Sequence, residues 1–186
     1  MQRQTLFLVL AVIMLSAELL GAAENPEEKT DLEAFAQRSH TIQRNGMIAL
    51  GSWAAINAVG GGVLALTTAG APRSFALMSM GWGGVNGALA LTAGTTEAPP
   101  ADLEALLRRQ RRLENLFLFN AGLDVGYMFA GLWMTRLADS RNSTGTQERL
   151  KGFGYSIVMQ GAFLFVFDLV MFLIHHGHGQ ALYGQL

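Results

Sequence analysis

Apolar residues run nearly unbroken from Leu6 to Leu15 and again over residues 46–68, 75–93, 115–135 and 154–175, with the charges gathered between them. At 1.5 Å per residue, about 20 residues cross a hydrocarbon core of ~30 Å, so each of the last four runs predicts a membrane-spanning helix. The polar stretches are residues 24–45, 94–114 and 136–151. Between the first two spans, Gly70-Ala71-Pro72-Arg73 predicts a tight turn, because glycine and proline break helices and would send the second span back across the bilayer. The pattern therefore predicts an all-α, four-transmembrane-helix antiparallel bundle.

Arg3 precedes the first apolar run, and Gly21-Ala22-Ala23 places small residues just before Glu24. This is the layout of a cleavable signal peptide over residues 1–23; were the segment kept, the later topology would not change. The expected organisation is then a periplasmic amphipathic segment at 24–45, a membrane domain at 46–178 and a C-terminal tail at 179–186. Both mature termini would face the periplasm, outside a bacterial inner (cytoplasmic) membrane. The arginine and lysine count points the other way. Arg73, Arg136, Arg141, Arg149 and Lys151 would lie inside, against Lys29, Arg38, Arg44, Arg108, Arg109, Arg111 and Arg112 outside. The expectation follows the signal peptide, because the first segment usually dominates orientation.

The outer stretches have helical periodicity of their own. Leu103, Leu106, Leu107, Gln110, Leu113 and Phe117 recur at three-to-four spacing after Pro99-Pro100, with Glu104 placed to pair with Arg108. Leu32, Phe35, Ser39 and Ile42 form a similar stripe. The first predicts an amphipathic helix running into the third span, and both predict amphipathic surface helices packed on the membrane, with arginines toward lipid phosphates.

Composition narrows the function classes. The chain has 22 glycines, no cysteine and a net charge of −1, so it offers no thiolate chemistry, no disulfides and no electrostatic footprint for nucleic acid. The glycines read as packing: Gly122, Gly126 and Ala130 in the third span, Gly83 and Gly87 in the second, and Ala54, Ala58 and Gly62 in the first form small-xxx-small seams. Gly60-Gly61-Gly62 lacks the Lys-Ser/Thr of a phosphate loop, and no His-Glu-x-x-His or Gly-x-Ser-x-Gly occurs. With no ordered catalytic set, the chain reads more as a non-enzyme. Arg149, Lys151 and Gly152-Phe153-Gly154 read either as a positive flank of the fourth span or as an anionic-headgroup site made by free backbone N–H groups.

The chemistry lies within the spans. Trp53-x-x-x-Asn57 in the first is echoed by Trp82-x-x-x-Asn86 in the second, each pair on one helix face. Asn120, Asp124 and Tyr127 share a face of the third span, and Gln160, Asp168 and His175 a face of the fourth. These residues predict a polar bundle axis. An ionised carboxylate at mid-bilayer costs at least about 2.5–3.5 kcal/mol, and the spans contain no lysine or arginine to pair with Asp124 and Asp168. Two readings follow: a site for a small polar ligand, ion or proton, or a hydrogen-bond network that sets helix register. At the end of the fourth span, His175, His176 and His178 are candidate ligands for a divalent zinc, copper or nickel ion, with Asp168 placed to orient His175; otherwise they are a polar cap. No histidine sits deep enough in a span to pair across a haem.

The series Trp53-x-x-x-Asn57, Trp82-x-x-x-Asn86, Asn120-Ala121-Gly122-Leu123-Asp124-Val125-Gly126-Tyr127 and Gly152-Phe153-Gly154 leading to Gln160-Gly161, Asp168 and His175 resembles an uncharacterised family of small bacterial four-helix membrane proteins. The resemblance covers residues 46–178. It implies a shared fold and polar interior and no activity. The competing function is an accessory or assembly subunit, with membrane lipids, other membrane subunits or a second copy of the chain as partners.

Overall fold

The computed structural model describes residues 32–97 and 102–184. The expected signal peptide, residues 24–31 of the first polar stretch and Pro99-Pro100 lie outside the described residues. Four helices make up the fold, with no strand among the described residues: α1 (Leu32–Thr67), α2 (Gly70–Gly94), α3 (Leu103–Asp139) and α4 (Thr144–Tyr183). α1, α3 and α4 are long and apolar enough to cross a membrane. In the 25-residue α2, glycine, serine, threonine and Asn86 dilute the apolar content.

The connections follow from local chemistry. Thr68 and Ala69 are extended and Gly70 has φ +63°, a left-handed conformation that only glycine adopts cheaply. The turn expected at residues 70–73 therefore falls earlier, with Ala71, Pro72 and Arg73 inside the first turn of α2. Proline is tolerated there because the first N–H groups of a helix have no intrahelical acceptor. α3 opens on Asp102, whose carboxylate accepts from the Ala105 N–H at 2.8 Å, and Glu104 pairs with Arg108. α3 and α4 are joined through Ser140–Ser143, where Arg141 N–H bonds the Ala138 carbonyl and Lys151 pairs with Asp139 at 2.9 Å. Because α4 begins at Thr144, Gly152-Phe153-Gly154 lies inside it, and its N–H groups are turned into the helix rather than free for a headgroup.

α4 is the central helix. It touches α1, α2 and α3, whereas α3 leans mainly on α4 and α1 mainly on α2. α2 and α4 run parallel, as successive contacts show: Gly152 meets Ser74, and the Ser79 and Ser156 hydroxyls bond at 2.8 Å. Glycines let these backbones close up. A Cβ on Gly154 would lie 2.6 Å from the Gly131 carbonyl oxygen, and one on Gly131 equally close to that of Gly154. Gly152 lies against the Ala71 carbonyl, Gly161 against that of Asp124, and Gly83 against Ala54 and Ala58.

The expected third-span seam is different. A Cβ on Gly122 or Gly126 would meet nothing within 4 Å, and Ala130 is exposed, so this seam faces away from the bundle. Since α3 is covered chiefly on the side facing α4, its other faces remain open, with Phe129 and Trp133 about 70% exposed.

The amphipathic helix expected to run into the third span does so, and the first stretch likewise continues into α1, but their apolar faces meet each other rather than the membrane surface: Phe35, Ala36 and Leu106 pack with Leu182, which is fully buried. Residues 179–183, expected as a tail, are the last turn of α4. Below this layer, Leu113, Phe117 and Met171 form a second cluster, and Met47, Leu50, Trp53, Ala90, Phe163 and Leu164 a third.

Replacing Gly154 by valine should destabilise the α3–α4 pair by about 1–3 kcal/mol, because neither backbone can retreat from a branched side chain. Thermal unfolding in detergent reads the loss, and Gly122→Val, on the open face, should leave the midpoint unchanged.

Candidate functional site

Two polar layers cross the bundle. In the first, the Trp53 indole N–H donates to Gln160 Oε1 at 2.8 Å, Gln160 Nε2 donates to Asn57 Oδ1 at 2.6 Å, and Asn57 Nδ2 donates to the Trp53 carbonyl at 2.8 Å. Gln160 is fully buried, and Trp53 also stacks on Phe163 with ring centroids 4.0 Å apart. Asn57 sits in a π-helical turn, Ile56–Gly60, within α1. This circuit is closed, so its chemistry is that of a register lock between α1 and α4.

The second layer contains the carboxyl groups. The Asp168 carboxyl of α4 lies close enough to interact with the Asp124 carboxyl and the Asn120 amide of α3. Asp124 and Asp168 are buried and Asn120 half-buried. Gly161 allows the contact, because a Cβ there would lie 2.9 Å from the Asp124 carbonyl oxygen. Unlike the first layer, this one is open: Asp124 Oδ2 has no partner.

Asn86 stands at the same level. Trp82 meets Tyr127 edge-on with centroids 5.3 Å apart, and the next turn of α2 and the preceding turn of α3 bring Asn86 and Asp124 to one height. Asn86 is buried, and its Nδ2 donor has no partner. Of the residues the sequence pointed to, Trp53, Asn57 and Gln160 meet in one layer and Asn120, Asp124 and Asp168 in the other. Trp82 and Tyr127 pair at the rim, where Tyr127 is 38% exposed. The two Trp-x-x-x-Asn segments thus do different things: Asn57 is tied to Gln160, while the Asn86 amide donor is unpaired.

The histidines diverge. His175 is fully buried, with neither ring nitrogen partnered, and its ring stacks on Phe117. His176 Nδ1 lies 3.3 Å from Glu114 Oε2, while His178 stacks on Phe35 and approaches its carbonyl oxygen at 3.3 Å. Helical rotation of about 100° per residue turns close neighbours toward different helices. Among the described residues no three histidine, aspartate or glutamate side chains come together as metal ligands. The expectation of a polar cap at the end of the fourth span is corrected for His175, because α4 continues to Tyr183 and buries it, and Asp168, expected to orient His175, lies toward Asp124.

Sequence reasoning missed a third polar group. The Glu114 carboxylate accepts from Gln110 Nε2 at 2.8 Å and from the Tyr183 hydroxyl at 2.9 Å, and Gln110 also donates to the His175 carbonyl. The i,i+4 spacing of Gln110 and Glu114 was visible beforehand, but Tyr183 lies 69 residues from Glu114. Ser79 and Ser156 were missed too, since each is a common residue with nothing to mark its partner.

A family model described as a family of unknown function (DUF6992) matches residues 49–169. No curated protein and no solved structure matches the chain. The matched range contains both polar layers and stops short of His175.

Gln160→Leu should cost about 1–3 kcal/mol in thermal unfolding, since it strands the buried Trp53 donor and the Asn57 acceptor. Replacing Ser79 and Ser156 together by alanine should be nearly neutral, because both partners of that bond disappear at once. Melting curves of the two variants in the same detergent compare them directly.

Proposed function

The chain belongs to this family of unknown function, which brings no activity with it, and from the site geometry we propose that it is a membrane protein that holds a proton or small cation at Asp124 and Asp168. The observation that carries the reading is the contact between the two carboxyl groups. Ionised carboxylates only accept hydrogen bonds, so a direct contact between them calls for a proton shared by the pair or a cation between them. Asn120 supports Asp168, and the unpaired amide of Asn86 at the same level offers a donor toward this layer. The Trp53–Asn57–Gln160 layer is the scaffold beside it.

In this reading all four helices span the bilayer. α2 lies parallel to α4 between α1 and α4, and its outward residues Leu77, Val85, Leu89 and Leu91 are apolar and exposed. The N-terminal segment directs the chain to a bacterial cytoplasmic membrane, with both mature termini outside. The protein acts as a binding or passage element.

Infrared difference spectroscopy in reconstituted membranes tests this. The carbonyl stretch of a protonated carboxyl should be present in the parent protein, shifted in Asp124→Asn and in Asp168→Asn, where one buried carboxyl remains, and lost in the double variant. If a cation replaces the proton, the band is absent and thermal stability instead rises with that cation, in the parent protein only. A folded parent protein with neither response would overturn the reading.

A second reading, an accessory subunit with a purely structural interior, is favoured by the outward seam of Gly122 and Gly126, open to close approach by another helix. It expects Gly126→Leu to release a co-purifying membrane polypeptide while the carboxyl band is retained.

A further inference from the structure

Arg108, Arg111 and Arg112 fall at i, i+3 and i+4 on α3, and Asn115, Leu116 and Phe119 continue along the same side of the helix. Together they line an open recess of about 670 Å³. Along the stripe, polarity changes once, from guanidinium groups through an amide to apolar side chains. Leu116 is 49% exposed and Phe119 65%, so the apolar end is not covered by the protein. The change falls at the start of the apolar run 115–135.

The charges are unbalanced at this point. Arg108 pairs with Glu104, but among the described residues no carboxylate forms an ion pair with Arg111 or Arg112. Like charges at i,i+3 and i,i+4 destabilise a helix unless a counter-anion is present. Guanidinium groups bind phosphate oxygens through planar paired donors, which suits a phosphodiester better than a lysine cluster would. An occupant must therefore be anionic at one end and apolar at the other, with the junction at Asn115.

We propose that this recess is a binding site for an anionic phospholipid, with the headgroup phosphate on Arg111 and Arg112 and an acyl chain along Leu116 and Phe119. Arg108 stays with Glu104 and borders the site. A free phosphate would use only the upper half of the recess. The proposal does not depend on the carboxyl pair.

The test uses the full chain in nanodiscs of phosphatidylcholine with or without phosphatidylglycerol, followed by native mass spectrometry and thermal unfolding. The parent protein should retain phosphatidylglycerol over phosphatidylcholine and be stabilised by it, whereas inorganic phosphate should not stabilise it. The double variant Arg111→Gln/Arg112→Gln should weaken retention on the order of thirtyfold, at roughly one headgroup interaction lost per arginine. Arg136→Gln/Arg141→Gln, at the opposite end of α3 and in the connection that follows it, should retain the lipid as the parent does. Equal retention of the two lipids, or an Arg111/Arg112 variant indistinguishable from the parent, would overturn the proposal. Stabilisation by inorganic phosphate equal to that by the lipid would overturn it as a lipid site.

Discussion

Close backbone contact along α4 governs this structure. Gly152, Gly154 and Gly161 remove the side chains that would hold α2 and α3 away, and the facing carbonyls of Ala71, Gly131 and Asp124 come within the space a Cβ would need. In a bilayer, helices gain little from burying apolar surface, because lipid tails are as apolar as leucine, so van der Waals fit and interhelical hydrogen bonds must supply the association. The glycine contacts do the first and position the second. With α4 at that distance and register, Ser156 reaches Ser79, Gln160 reaches Asn57 and Trp53, and Asp168 reaches Asp124.

The two polar layers share this scaffold but not its chemistry. The Trp53–Asn57–Gln160 circuit satisfies its members with uncharged donors and acceptors, which fixes register without asking for anything from outside the chain. The Asp124–Asp168 layer cannot close in that way, because two carboxylates supply acceptors only. A register lock is served better by asparagine or glutamine, as the first layer illustrates. Two aspartates in the second layer are a costly choice for packing alone and a sensible one for binding a proton or cation.

At one end of the bundle, α1, α3 and α4 continue past their apolar runs and bury Phe35, Leu106 and Leu182 among themselves. Gln110, Glu114 and Tyr183 tie the same layer together through hydrogen bonds, so the end of the bundle is built rather than frayed. Its order has a consequence for α3. With the helix held along α4, the arginines at 108, 111 and 112 and the apolar residues below them are presented on a fixed outer surface.

What the sequence determined by itself is what depends on local periodicity and hydropathy: helices throughout, their antiparallel succession, the polar stripe on each, and the glycines as sites of close packing. Asn57, Gln160, Asp124 and Asp168 were legible because polar side chains recurring on one face of an apolar helix must turn inward. Other features depended on which faces meet, a property that no single helix carries. The outer stretches of α1 and α3 read as membrane-surface helices because each, taken alone, has an apolar face needing cover; Leu182 supplies it from 147 residues beyond Phe35. Gly122 and Gly126 had the same spacing signal as Gly83 and Gly87, yet only the latter face a neighbour, since α3 is flanked on one side alone. His175, His176 and His178 formed one cluster in sequence and three separate environments in space, because rotation about the helix axis sends each toward a different partner. The tertiary structure alone decided that Asp124 and Asp168 come together, because that depends on the height at which α4 lies against α3 and on the close approach that Gly161 permits.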